Sequence, residues 1–169
     1  MRTLRGLVVL LLLTLAGCGT STTVAGSSPD GEAVESSAAA TLDFTATTLE
    51  GESFEGTSLA GSPTVLWFWA PWCPTCRAQI PTVSGLGEEY AGRVDVVAVG
   101  GLDTQDEIEE LAGEIGHVTH LVDEEGVVWK HFGVTAQSTY TVLDADGEIV
   151  HEGYLDNGAI EELVADLAD

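Results

Sequence analysis

Apolar and polar positions along the chain follow two rhythms, which predict strands and helices in turn. Leu42 to Thr47 and Ser53 to Glu55 read as short strands around the turn Glu50-Gly51. Val65 to Trp69 is an unbroken apolar, β-branched and aromatic run, suited to a strand buried on both faces of a sheet. A helical stretch follows from about Cys73 to Tyr90, with Cys76, Ile80, Val83 and Tyr90 on one face. Val94 to Val99 is a second buried strand. Over residues 103–115, Ile108, Leu111, Ala112 and Ile115 fall at i, i+3, i+4 and i+7 with acids opposite, the stripe of an amphipathic helix. Thr119 to Val122 predicts a strand and Val127 to Phe132 a short helix. Thr139 to Leu143 and Glu148 to Tyr154 flank Asp146-Gly147, a strong hairpin signal. Ile160, Leu163, Val164 and Leu167 stripe a closing helix. Strands alternating with helices, then a hairpin and a helix, predict an α/β sandwich on a mixed sheet. The chain has no internal repeat.

The first forty residues follow neither rhythm. Arg2 and Arg5 precede an apolar run from Leu7 to Leu13 that continues through Leu15 and Ala16. The run is too short to cross ~30 Å of hydrocarbon and fits the apolar region of a secretory signal peptide over residues 1–17. Leu15-Ala16-Gly17-Cys18 resembles the bacterial lipoprotein signal, in which the cysteine is lipidated and becomes the new N-terminus. Plain secretion, leaving Cys18 as a free thiol, is the alternative. Residues 19–40 are Gly, Ser, Thr, Ala and a few acids, a composition that reads as a flexible tether. The expected organisation is therefore a signal peptide (1–17), a lipidated cysteine with its linker (18–40) and one domain (41–169) held near a membrane.

Composition narrows the picture further. The 169 residues carry 28 acidic against 5 basic side chains, a net charge of −23. A hydrophobic fraction of 44% with 20% charged residues excludes global disorder. Nucleic acid is excluded as a partner, because neutralising phosphates needs clustered Lys and Arg, and Lys130 is the single lysine. Three cysteines are too few, and an odd number, for a disulfide-built scaffold. Lipidation of Cys18 accounts for the odd one.

The chemistry is concentrated at Trp67-Phe68-Trp69-Ala70-Pro71-Trp72-Cys73-Pro74-Thr75-Cys76. Two cysteines separated by two residues, at a strand–helix junction, can close a small disulfide ring. The first then sits at a helix N-terminus, where unpaired N–H groups and the dipole favour thiolate over thiol. Cys73 is the candidate nucleophile and Cys76 the resolving thiol. A half zinc site is the competing reading. It is weak, because there is no second cysteine pair and His117, His120, His131 and His151 show no ligand spacing; no metal site is expected. A purely structural disulfide is the other competitor, and export favours the redox centre over it.

Trp69-Ala70-Pro71-Trp72-Cys73-Pro74-Thr75-Cys76 resembles the active site of the thioredoxin superfamily. The wider pattern over most of residues 42–169 is similar to its exported TlpA/ResA/DsbE-like branch, grouped as redoxin domains. The resemblance implies a thioredoxin-like α/β fold: a central mixed sheet flanked by helices, with an N-terminal β-hairpin and an inserted helix near 103–115. It implies a thiol–disulfide oxidoreductase with no bound cofactor, in which Cys73 attacks or is attacked and Cys76 resolves a mixed disulfide. The implied partners are exported proteins bearing thiols or disulfides, apocytochromes c among them, and a membrane redox partner. Together with Cys18, it places the protein on the extracytoplasmic face of a bacterial membrane, held by lipid.

Two positions depart from that family's pattern. Alignment puts Ser138 where members carry a cis-proline facing the cysteines, and Gln79 where many carry a glutamate. A neutral amide cannot take or give the proton that a carboxylate could. A cis bond costs ~3–4 kcal/mol before other residues against ~0.5–1 before proline, so the Gln137–Ser138 bond is expected to be trans. Trp72, Pro74, Thr75, Gln79 and Ser138 are the expected surroundings of the cysteine pair. Trp72 is the candidate aromatic for partner contact, whereas Trp67, Trp69 and Trp129 read as core. Asp144-Ala145-Asp146-Gly147-Glu148 is similar to a calcium loop but lacks the remaining ligands, and a hairpin turn explains it. Pro81 marks a kink.

Three functional classes follow. The first is the oxidoreductase, with the direction of electron flow open. The second is a peroxiredoxin-type peroxidase on the same fold, whose Thr-x-x-Cys motif places threonine where Cys73 stands. The third is a metal- or thiol-binding module using the same cysteine pair without turnover.

Overall fold

A run of apolar side chains in a strand has to be covered on both faces, and residues 65–69 sit at the centre of the molecule for that reason. The structure is a computed structural model that describes residues 41–169. Its elements are β1 (Thr45–Thr48), β2 (Ser53–Glu55), β3 (Thr64–Trp69), α1 (Pro74–Glu89), β4 (Asp95–Gly101), α2 (Gln105–Ala112), β5 (Thr119–Asp123), α3 (Val127–His131), β6 (Thr139–Leu143), β7 (Ile149–Gly153) and α4 (Asn157–Leu167), with a 3-10 turn over Gly56–Leu59. The strands form one seven-stranded sheet in the order β2-β1-β5-β4-β3-β6-β7. β3, β4 and β5 run parallel, and every other pairing is antiparallel. The mixed α/β sandwich read from the alternation of elements is present. The expected signal peptide, lipidated Cys18 and linker fall outside the described residues, among which no helix is long and apolar enough to cross a membrane.

Successive residues of β3 point to opposite faces. Val65, Trp67 and Trp69 pack with Val83 and Leu86 of α1, Ile108 and Leu111 of α2, and Ile160 and Val164 of α4. Leu66 and Phe68 pack on the other side with Leu42, Phe44, Leu59, Phe132 and, from α3, Val128 and Trp129. The neighbouring strand makes room for two indoles. A Cβ at Gly100 would come within 2.9 Å of the Trp69 ring, and one at Gly101 within 2.7 Å of Trp129 Nε1. Gly100-Gly101 thus lets a tryptophan lie across β4 on each face.

Element ends differ from the sequence pattern where side chains or turns take over the backbone. β1 begins at Thr45, because Phe44 N–H bonds Leu42 O and Phe44 O accepts from Gly56 N–H. Leu42 and Phe44 are therefore buried plugs of the second core layer, not strand residues. α2 is shorter than the 103–115 stripe: Thr104 Oγ1 caps Glu107 N–H and the chain leaves the helix at Gly113, while Ile115 stays buried beyond it. Asp123 at the end of β5 accepts N–H bonds from Val127 (2.6 Å) and Trp129 (2.9 Å), so a strand residue starts α3. Asp144 Oδ1 accepts from Asp146 N–H and Glu148 N–H, and Gly147 takes φ +78°, which makes 144–148 the expected hairpin turn. Pro81 lies inside α1.

His120 on β5 connects this packing to pH. Its Nε2–H donates to Ile115 O at 2.9 Å, and its buried Nδ1 has no hydrogen-bond partner. Burial lowers its pKa below the usual imidazole value, against weaker raising effects from Ile115 O and Glu50. The folded protein therefore holds His120 neutral, whereas the unfolded chain takes up a proton near ~6.5. The stability this confers is full above that pH and is lost as pH falls through it toward the lower folded value. Urea midpoints at pH 7.5 and pH 5 should show the loss, and His120→Gln should make it smaller. An unchanged pH dependence in His120→Gln would refute the assignment.

Candidate active site

β3 ends at Trp69, and Ala70, Pro71 and Trp72 turn the chain into α1. Cys73 is the helix N-cap and Pro74 its first residue, where the missing N–H would have had no partner in any case. Cys73 N–H bonds Ala70 O at 3.1 Å, and Cys76 N–H donates to Cys73 Sγ at 3.1 Å. That sulfur lies among the unpaired N–H groups of the first turn, where negative charge is favoured. Cys73 and Cys76 are joined in a disulfide with their Cα atoms 5.3 Å apart. The two sulfurs are not equivalent: Cys73 is 5% exposed and Cys76 0%.

The surroundings divide into a rim and a floor. On the rim, Pro74 and Thr75 are exposed on the first helical turn. Trp72 is 54% exposed, as expected for a contact aromatic, and its Nε1–H donates to Leu102 O at 3.2 Å. Leu102, itself exposed, follows β4 at φ +60°. Arg77 braces the turn through a 3.0 Å bond from Nε to Pro71 O. On the floor, Trp67 and Trp69 stack with ring centroids 5.9 Å apart. Both are fully buried and Trp129 nearly so, in agreement with their assignment to the core.

The two departures from the family pattern meet on that floor. Trp67 Nε1–H is shared between Ser138 Oγ at 2.8 Å and Gln79 Oε1 at 3.2 Å. The Ser138 hydroxyl donates to the same Gln79 Oε1. Gln79 Nε2 donates in turn to Leu155 O at 3.0 Å, just ahead of α4. Ser138 and Gln79 are both buried, and every member of the group is uncharged.

The Gln137–Ser138 bond is cis, not trans as expected from the sequence. That expectation weighed only the intrinsic cost of the bond. It missed the partners of the Ser138 side chain, which lie 59 and 71 residues away in the sequence. Leu155 could not have been found from the sequence, since only its carbonyl takes part. Tyr140 was also missed. It pairs with Trp67 across β3 and β6, is fully buried, and its hydroxyl has no partner. Burial, with a smaller effect from Tyr154, pushes its phenol above the usual tyrosine value, so it stays protonated. Among the described residues no group of three or more His, Cys, Asp or Glu is placed to hold a metal ion.

The site can be set beside known proteins. The soluble secreted antigen MPT53 of Mycobacterium tuberculosis is 38% identical over 110 residues, which are 63% of this chain and 61% of the antigen. This chain thus matches about three fifths of that relative's length. The structure of MTB dsbF, solved in mixed oxidized and reduced forms, superposes with a TM-score of 0.71 at 39% identity, over 76% of this chain and 97% of that one. A secreted Mycobacterium tuberculosis disulfide oxidoreductase homologous to E. coli DsbE gives a TM-score of 0.69 at 32% identity, over 75% and 98%. The fold is thioredoxin-like. The Redoxin family model matches residues 31–167, a span that takes in both cysteines and every element of the sheet, and the chain belongs to the Redoxin family.

Proposed function

We propose that the protein is a membrane-tethered, extracytoplasmic thiol–disulfide oxidoreductase acting on exported proteins. The observation that carries the reading is the unequal cysteine pair: a disulfide-forming couple at a helix start, with Cys73 retaining slight exposure (5%) and Cys76 fully buried beneath it. In the reducing direction the Cys73 thiolate attacks a substrate disulfide, forms a mixed disulfide and releases one substrate thiolate. Cys76, deprotonated, then attacks Cys73 Sγ and releases the second. Two electrons pass to the substrate and the Cys73–Cys76 disulfide forms. The oxidising direction is the reverse, with a substrate dithiol giving up its two electrons to that disulfide. Neither direction needs a bound cofactor.

The similarity to a protein titled a secreted disulfide oxidoreductase supports the chemistry. The lipoprotein-like signal ending at Cys18 supports the tether. Substrates on this reading are thiols and disulfides of exported proteins, apocytochromes c included, and a membrane redox partner resets the pair. The neutral rim of Trp72, Pro74 and Thr75 is the contact surface for them. A reduction potential near ~−120 mV would mark a disulfide donor and one near ~−270 mV a reductant.

Alkylation of the reduced protein near neutral pH should modify Cys73 before Cys76, as read by mass spectrometry of the peptides. First labelling of Cys76 would reverse the roles. Cys76→Ser should retain attack by Cys73 but stall at the mixed disulfide, visible as a covalent adduct with a reducible protein substrate. Cys73→Ser should form no adduct, and an adduct in that variant would refute the mechanism. Labelled lipid should enter the wild-type chain in cells and be lost in Cys18→Ala, which should appear in the medium. Equal membrane retention of Cys18→Ala would remove the tether.

A further inference from the structure

We infer that Gln79 is a positioning residue of the exchange reaction, an amide-specific clamp that holds the Ser138 loop, β3 and the redox helix in one arrangement. The inference rests on the thiol–disulfide reading above. Gln79 lies one turn beyond Cys76 on the same buried face of α1. Trp67 lies on the strand that leads directly into Cys73, and Ser138 immediately precedes β6, the antiparallel neighbour of that strand. Three segments that frame the cysteine pair therefore converge on one side chain.

The clamp needs opposite capacities at the two ends of a planar group. Oε1 accepts hydrogen bonds from Trp67 N–H and Ser138 O–H, while Nε2–H donates one to Leu155 O. An amide has both an acceptor oxygen and donor hydrogens. A carboxylate could receive the first two bonds, but its second oxygen would face the Leu155 carbonyl, acceptor against acceptor. A protonated carboxylic acid restores the missing donor. A side chain without polar atoms leaves the buried Ser138 hydroxyl short of its acceptor and the half-buried Leu155 carbonyl short of this donor. Gln79 is not placed against either sulfur by these bonds. It acts through the segments it ties, and a misplacement of reacting groups by about 1 Å costs on the order of a hundredfold in rate.

The requirement for an amide distinguishes this role from general packing. The groups bonded at position 79 are Trp67, Ser138 and the Leu155 carbonyl, all uncharged. Tyr140, paired with Trp67 on the neighbouring strand, stays protonated. The Cys76 thiol, one turn back on the same helix face, is present in every variant and cancels in the ratio to wild type. A glutamate there would meet burial and a facing carbonyl, both of which raise a carboxyl above its usual ~4.3. It would serve as a clamp while protonated and fail when ionised.

The test is single-turnover exchange between the reduced full chain and oxidised insulin, each variant expressed as a ratio to wild type at the same pH. Gln79→Glu should run near the wild-type rate at pH 5 and about tenfold slower at pH 8, as its carboxyl ionises. Gln79→Met and Ser138→Ala should each slow exchange, and the double variant should be no slower than the slower single one, as for residues in one network. A Gln79→Glu rate at or above wild type throughout pH 5–8 would overturn the clamp, as would Gln79→Met within twofold of wild type. If Gln79→Met does not fold, the pH ratio of Gln79→Glu decides alone. Absence of exchange in wild type in both directions, from the reduced chain to oxidised insulin and from reduced insulin to the oxidised chain, would overturn the oxidoreductase reading itself, a failure distinct from that of the clamp.

Discussion

The burial of β3 on both faces is the constraint from which the site follows. All six of its residues are buried, including Trp67, Phe68 and Trp69. Fully burying a large apolar side chain contributes roughly 1.5–3 kcal/mol relative to exposure. Among the described residues no other segment offers as much in so short a length, so the sheet and both helical layers are arranged to cover it. The strand cannot continue through the polar surface and has to end in a turn. That turn places Cys73 at the start of α1 with slight exposure, next to the exposed Trp72 and Pro74. The helix then carries Cys76 down against the strand it came from. The same constraint that stabilises the fold therefore creates the difference in access between the two sulfurs.

Covering three aromatic residues leaves indole N–H groups inside the core. Trp69 and Trp129 keep theirs without a partner, while Trp67 gives its own to Ser138 and Gln79. A buried hydrogen bond contributes only about 0.5–1.5 kcal/mol net, but stranding one partner costs about 1–3 kcal/mol. The group around Gln79 matters mainly for what its loss would leave behind. It is also the place where β3, α1, the loop before β6 and the approach to α4 are joined by polar bonds instead of apolar contact alone.

Charge acts on a different part of the molecule. A net charge of −23 surrounds a floor made of neutral groups and a rim on which Arg77 is the cation. Exposed charges are screened over ~8 Å at physiological ionic strength. The field of the acidic surface is therefore short in range, and the buried floor formed by Trp67, Gln79 and Ser138 carries no charge of its own.

Local pattern was enough for much of this. The alternation of apolar runs and stripes determined the order of strands and helices, and the two-residue spacing of Cys73 and Cys76 at a strand–helix corner singled out the pair that closes into a disulfide, because both depend on neighbours a few residues apart. Element ends were less legible. Leu42 and Phe44 looked like strand residues because apolar character reports burial and not hydrogen bonding. The 103–115 stripe continued past its helix for the same reason, since Ile115 is buried without being helical. The cis bond before Ser138 and the meeting of Ser138 with Gln79 were decided by tertiary structure alone. Gln79, Trp67 and Ser138 are far apart in sequence, and a side-chain hydrogen bond between distant residues leaves no periodicity to read. Leu155 joins through a backbone carbonyl that every residue possesses, so only the folded chain could assign it a role.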